Sequence, residues 1–132
     1  MGEDFHAATE ELRDRGFGVM IAHPERSADA ALDDSAGLRR ELAAGSLAQV
    51  NAQSITGEHG TDALVAAASL LRQGLISVVA SDAHGPTRPP LLSEVRRLLA
   101  DDGFDVGLCD GLTGGRPRGL LARGIPDRAL VA

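Results

Sequence analysis

Two short tracts limit what this chain can fold into: Ile21-Ala22-His23-Pro24-Glu25-Arg26, and Val79-Ala80-Ser81-Asp82-Ala83-His84-Gly85-Pro86-Thr87-Arg88-Pro89-Pro90. Each opens with small apolar residues that read as a buried strand, then ends abruptly in imidazole, carboxylate and guanidinium groups. Barrels and doubly wound sheets of alternating strands and helices build sites this way, because a rigid strand holds what the following loop displays. Two such edges in 132 residues predict one shared site. The side-chain types predict a metal ion and an anionic substrate.

The patterning around these tracts repeats as helix, strand and loop. Residues 3–15 carry Phe5, Ala8 and Leu12 at helical spacing and stop at Gly16, ahead of a predicted strand over 18–22. Residues 35–44 place Leu38 and Leu42 on one face, end at Gly45 and lead into a predicted strand over 47–52. Thr61 is a candidate cap for a helix carrying Leu64, Ala67, Ala68 and Leu71, closed by Gly74 and followed by a strand over 76–80. A fourth helix, over 91–100, follows Pro89-Pro90 and buries Leu91, Val95, Leu98 and Leu99. Beyond Gly103 the chain is rich in glycine and weakly patterned, with a short helix predicted over 117–123. Strands alternating with helices of this length specify parallel βα units. Three parallel strands cover neither their faces nor their edges, so Val19, Ile21, Val78 and Val79 are expected to lose about half their packing, and self-association is expected.

Composition removes several functions. The chain has 43% hydrophobic and 24% charged residues with a net charge of −6, and all 13 basic residues are arginine, so no general field favours nucleic acid or an anionic membrane. Three aromatics, Phe5, Phe17 and Phe104, give no stacking platform for a single strand. Cys109 stands alone, which excludes an internal disulfide and a cysteine-rich zinc site. Met1-Gly2-Glu3-Asp4 has no basic or apolar leader character and no apolar run reaches membrane-spanning length; a cytoplasmic protein is the expectation.

In an extended segment Asp82 and His84 point to one side and can share an ion, a pairing that suits Zn²⁺, Mn²⁺ or Fe²⁺ better than Ca²⁺. The plainer alternative is that Asp82 caps the next turn and His84 bonds to backbone. Pro24 predicts an extended backbone for His23. Arg26 offers a planar fork for a phosphate, or else an ion pair with Glu25 or Asp29, and Arg88 has the same two readings in a loop stiffened by Pro86, Pro89 and Pro90. Gln49, Asn51 and Gln53 alternate along the middle strand. On a buried strand they would bond to ligand, water or site residues; on an edge strand they would form one wet face. His6 and His59 lack a strand-edge setting and read as surface histidines.

Taken in order, Ile-Ala-His-Pro-Glu-Arg, Gln-Val-Asn-Ala-Gln-Ser-Ile-Thr-Gly-Glu-His-Gly and Val-Ala-Ser-Asp-Ala-His with its following Arg-Pro-Pro resemble the PHP superfamily. Within it they most resemble the bacterial manganese-dependent protein tyrosine phosphatases of capsular and exopolysaccharide loci. The resemblance runs from about Leu12 to Leu121, with Arg116-Pro117 where Asn-Pro is usual and Gln53 where glycine is common. It implies an α/β fold, a distorted (β/α)7 barrel with three metal ions that activate a bridging hydroxide, and no cysteine nucleophile. By matching position it implies His23, Asp82 and His84 as metal ligands, and Arg26 and Arg88 as the groups that hold the phosphoryl oxygens, with Glu25 in support. Mn²⁺ is the implied ion, with Zn²⁺, Fe²⁺ and Mg²⁺ as alternatives. The implied substrate is a phosphotyrosine protein, a tyrosine kinase of polysaccharide synthesis.

The family's N-terminal His-x-His strand and its further ligands have no counterpart here. Residues 1–132 therefore read as a partial PHP domain, the C-terminal portion of the barrel with about three parallel βα units. Three ligands cannot close two metal sites. The expectation is a phosphoesterase that is weak or inactive as this chain alone, associating with itself or with an N-terminal complement. A catalytically inactive half-barrel acting as an assembly module, or another PHP phosphoesterase, are the alternatives.

Overall fold

The alternating pattern resolves into three parallel strands and the helices between them, in a computed structural model that describes residues 1–27, 35–86 and 89–126. The order is α1 (Glu3–Asp14), β1 (Met20–Ala22), a 3-10 turn (Pro24–Arg26), α2 (Ala36–Ala43), β2 (Leu47–Asn51), α3 (Ala52–Ile55), α4 (Thr61–Arg72), β3 (Val78–Ala80), α5 (Leu92–Asp101) and α6 (Val106–Asp110). A π-helical turn (Gly111–Gly115) then joins α6 to α7 (Arg116–Arg123). The sheet order is β1-β2-β3, with Ile21 opposite Ala48 and Val50 opposite Val79. Central β2 is covered on both faces, so Ala48 and Val50, one small and one β-branched, are wholly buried.

Helices end as the glycines predict. At Gly16, φ is +82°, its N–H bonds the Arg13 carbonyl at 2.9 Å, and the Phe17 N–H reaches back to the Leu12 carbonyl at 3.0 Å. This double closure is the Schellman motif, and it recurs after α2, α4 and α5. α4 begins from Gly60 with no side-chain cap, so Thr61 is its first residue and not its cap. The core joins Ile21, Val50, Leu70, Val79, Val95 and Leu112 from sheet and helices alike.

Several expectations are corrected. Val19, Ile21, Val78 and Val79 are all buried within this one chain. Part of the reason is the segment after Gly103, which forms α6, the π turn and α7 and packs against β3. The helix predicted over 117–123 stands as α7, while the weak apolar pattern concealed α6 and the π turn before it. Pro117 supplies no N–H, and the run widens into its π turn immediately before it. The chain then returns past β1, where an added Cβ on Gly18 would lie 2.3 Å from the Ile125 carbonyl oxygen. Only glycine permits that approach.

The largest correction is α1, whose buried face is polar. Phe5 and Leu12 are exposed at 39% and 44%, while His6 and Thr9 are buried. His6 Nδ1 donates to Glu41 Oε1 at 2.6 Å and Thr9 Oγ1 donates to the same oxygen at 2.8 Å. Arg13 and Ser46 Oγ donate to Glu41 Oε2 at 3.0 and 2.9 Å. Burial alone would raise the Glu41 carboxyl, but these four donors outweigh it and hold the group at about 2. The spacing of His6, Thr9 and Arg13 at i, i+3 and i+7 was the available signal for a polar helix face.

Candidate functional site

All three strands run parallel, so their C-terminal ends open on one edge of the sheet. At the end of β1, His23 makes the last rung, its N–H bonding the Gln49 carbonyl at 2.8 Å. The backbone then turns: His23 has φ 39° and ψ 56°, left-handed and not the extended form that Pro24 suggested. The reason lies in the next three residues. The Arg26 N–H closes onto the His23 carbonyl at 3.1 Å, a 3-10 turn that buries Pro24 and Glu25 while leaving His23 and Arg26 exposed. An open groove of about 550 Å³ runs beside this loop, with Met1, Phe5, Ile21, His23 and Arg26 in its lining.

That turn leaves the β2 ladder one acceptor short. By the register, the Asn51 N–H would next meet the His23 carbonyl, which the Arg26 N–H has taken. Glu25 fills the gap, its Oε1 accepting the Asn51 N–H at 3.1 Å and Ser54 Oγ at 2.7 Å. Since Ser54 donates to Glu25, the 3.0 Å contact between Ser54 Oγ and His59 Nδ1 has His59 as donor. His59 is thus half-buried and bonded, not a plain surface residue. Glu25 Oε2 is buried with no hydrogen-bond partner among the described residues.

Of the alternating polar residues, Gln49 and Asn51 are buried on β2, while Gln53 has left the strand for α3 and donates to Glu58 Oε2 at 3.0 Å. Gln49 Nε2 donates to Asn51 Oδ1 at 2.7 Å, and Asn51 Nδ2 donates to Asp82 Oδ2 at 3.2 Å. Asp82 lies just beyond β3, again with a left-handed backbone, φ 48°. The 82–84 segment is therefore not the extended run expected from sequence. His84 Nδ1 nevertheless turns back, donating to the Asp82 carbonyl at 2.6 Å and lying 3.6 Å from Asp82 Oδ1. Among the described residues only His23, Ser35 and Asp82 combine a side chain with positive φ, so two of the three stand at this edge. Such backbone costs on the order of 1–3 kcal/mol and concentrates where function demands it.

The His84 ring is fixed in one tautomer, because a carbonyl can only accept; in the neutral ring Nε2 then carries the lone pair. A carboxylate and such an imidazole suit Mn²⁺, Zn²⁺ or Fe²⁺. Among the described residues, no group of three or more His, Cys, Asp or Glu side chains comes together to hold an ion. Asp82 and His84 thus fit part of a coordination shell and do not complete one, and His23 does not join them in such a group. Arg88 lies outside the described residues. Cys109 is buried and its thiol is pushed up by that burial, the opposite of what a nucleophilic cysteine needs.

Residues 2–105 match the family model for capsular polysaccharide synthesis, CpsB/CapC. A Staphylococcus aureus protein described as "Putative tyrosine-protein phosphatase CapC" is 34% identical over 83 residues, covering 62% of this chain and 32% of that protein. All of this chain superposes on 54% of a chain from the crystal structures of YwqE from Bacillus subtilis and CpsB from Streptococcus pneumoniae, described as metal-dependent tyrosine phosphatases. That superposition has a TM-score of 0.79 at 26% identity. The chain spans about a third of the length of the curated relative and about half that of the solved one. The family match covers most of the sequence, and the chain belongs to the CpsB/CapC family of capsular polysaccharide synthesis.

Proposed function

We propose that this chain carries part of the site of a metal-dependent phosphoesterase that acts on phosphotyrosine in proteins, a polysaccharide-synthesis tyrosine kinase being the expected substrate. The observation that carries this reading is the linkage of the β1 and β3 end loops through Asn51, which puts an imidazole, a guanidinium and an Asp–His pair on one sheet edge. The structural likeness to metal-dependent tyrosine phosphatases supports it. Residues 1–132 are then the C-terminal portion of a (β/α)7 barrel, with the remaining ligands supplied from elsewhere.

Asp82 and His84 would hold part of a divalent ion's shell, Mn²⁺ by preference, with His23 a ligand from the β1 end once further ligands are supplied; when bound, the metal would supply Lewis-acid stabilisation of the charge on the phosphoryl oxygens. The chain's own work is to orient. Arg26 stands exposed beside the groove, where its planar fork can pair two phosphoryl oxygens, and Arg88, which follows β3 in the sequence, would take the matching role. Glu25 holds the β1 loop from beneath.

Turnover of an aryl phosphate and of a phosphotyrosine peptide, with excess Mn²⁺, tests this, using the chain alone and mixed with a fragment holding a relative's first barrel half. Mn²⁺-dependent turnover is expected with the complement, and Arg26→Ala should lower kcat/KM by about tenfold to a thousandfold with metal content unchanged. Absence of turnover in both settings would favour an assembly module. The exposed apolar side chains of Phe5, Leu12 and Phe17, which offer a face for self-association, are the observation behind that second reading.

A further inference from the structure

We infer that Asn51 is the positioning residue of this site, a brace at the end of the central strand that sets the β1 and β3 loops relative to one another. Three arms leave this one residue. Its backbone N–H holds Glu25, and through it the His23–Arg26 turn. Its Nδ2 holds Asp82, and its Oδ1 is held by Gln49 from the same strand. The polarity of this chain has one solution. Asp82 as a carboxylate only accepts, so Asn51 must present its NH₂ to it and its oxygen to Gln49.

The 3-10 closure shapes the β1 loop locally, but neither loop's own backbone sets it relative to the other. Each turns at a left-handed residue, His23 or Asp82, a conformation that the contacts around it must support. Asn51 is 1% exposed and sits on the most buried strand, so it is the fixed point to which both can be referred. Side chains that hold a metal-binding carboxylate change affinity about tenfold to a hundredfold when removed, although they never touch the ion. This role rests on the reading of Asp82 as a metal-binding residue.

Free Mn²⁺ measured by electron paramagnetic resonance, titrated into wild type, Asn51→Ala, Asp82→Ala and the double variant, tests the brace. Asn51→Ala should weaken Mn²⁺ binding about tenfold to a hundredfold, with no further loss on the Asp82→Ala background, because it acts through Asp82. Equal losses on both backgrounds would mean that Asn51 only supports the fold, and would overturn the brace. Wild-type affinity in Asp82→Ala would overturn the metal reading instead. The second measurement is amide hydrogen exchange, which requires no metal. Asn51→Ala removes the Asp82 arm and keeps the backbone N–H on Glu25, so it should speed exchange in residues 82–86 more than a Val79→Ala control that lowers stability without touching the brace; Glu25→Ala, which removes the acceptor of the other arm, should do the same in residues 23–27. Unchanged exchange in residues 82–86 of Asn51→Ala, or in residues 23–27 of Glu25→Ala, would overturn the brace even if wild type binds no Mn²⁺.

Discussion

Two buried glutamates stand at opposite ends of the central strand, and they are handled differently. Glu41 packs beneath the N-terminal end, where Ser46 precedes β2, and both of its oxygens are satisfied by His6, Thr9, Arg13 and Ser46. Glu25 lies at the C-terminal end, where one oxygen serves Asn51 and Ser54 and the other has no partner among the described residues. Around Glu41 the helices end in ordinary glycine caps; around Glu25 two residues with side chains are forced into left-handed backbone. The difference teaches which end of the sheet serves stability and which serves the site. Parallel α/β proteins divide the work in that way, because loops after the strands carry the chemistry and the opposite face only has to hold.

The sharpest way to break the comparison is to remove Glu41. Glu41→Ala strands an arginine, a histidine and two hydroxyls in a site that is 1% exposed, and loss of one partner from a buried charged network costs about 3–5 kcal/mol. A domain this size has roughly 5–15 kcal/mol in total, so urea denaturation should find the variant close to unfolding. Acid removes the same support more gently. The Glu41 carboxyl lies at about 2, below its ordinary 4.5, so its contribution is complete above that ordinary value and drains away as pH falls through 4.5 toward 2. A depression of that size corresponds to on the order of 3 kcal/mol. Unfolding free energies from urea denaturation between pH 6 and pH 2 should fall by that amount in wild type and much less in Glu41→Gln, which is already weakened at neutral pH. A parallel decline in both would remove Glu41 as the acid-sensitive element.

The two ends also differed in how much of them sequence revealed. The strands, the helix stops and the strand-end position of both tracts were legible because they are local: apolar runs, glycine after a helical period, charged groups straight after a strand. What escaped was set by tertiary partners. Phe5, Ala8 and Leu12 gave α1 an apolar stripe, yet the buried residues are His6 and Thr9, with Arg13 half-buried beside them, since a carboxylate on α2 waits beneath. His23 and Asp82 were expected to be extended, and they turn because the ladder ends there and Glu25 and Asn51 replace its missing bonds. The alternation of Gln49 and Asn51 hinted at that arrangement without saying which partner each would find.

A smaller effect is expected at Glu25, and its size tests the contrast directly. Glu25→Gln keeps a carbonyl oxygen for the Asn51 N–H and for Ser54, and replaces an unpartnered oxygen with an amide. No existing hydrogen bond is lost, and removal of a buried carboxylate offsets the cost of an NH₂ that meets no acceptor, so stability should shift by less than about 1 kcal/mol in either direction. Glu41→Gln cannot be neutral in this way, because its amide would face the Arg13 and Ser46 donors or the His6 and Thr9 donors. Side-by-side chemical denaturation of the two glutamine variants measures the asymmetry. Equal losses would mean that both glutamates serve the fold alike, and the division between the two ends would be wrong.

The smallest stability effects belong to the residues proposed for the chemistry. Arg26 is exposed, and the His84 side chain is 62% exposed; neither fills core volume nor closes a buried network. Surface substitutions away from such features stay within about 0.5 kcal/mol. Arg26→Ala and His84→Ala should therefore unfold at the wild-type urea midpoint, within that margin, while differing from wild type in phosphate turnover and Mn²⁺ binding respectively. A residue that matters to activity and is silent in stability is one the fold presents without leaning on it. Should either variant lose more than about 1 kcal/mol, its side chain is holding the strand-end loop in place, and the loss of turnover would then report a collapsed loop and not a missing phosphate or metal contact.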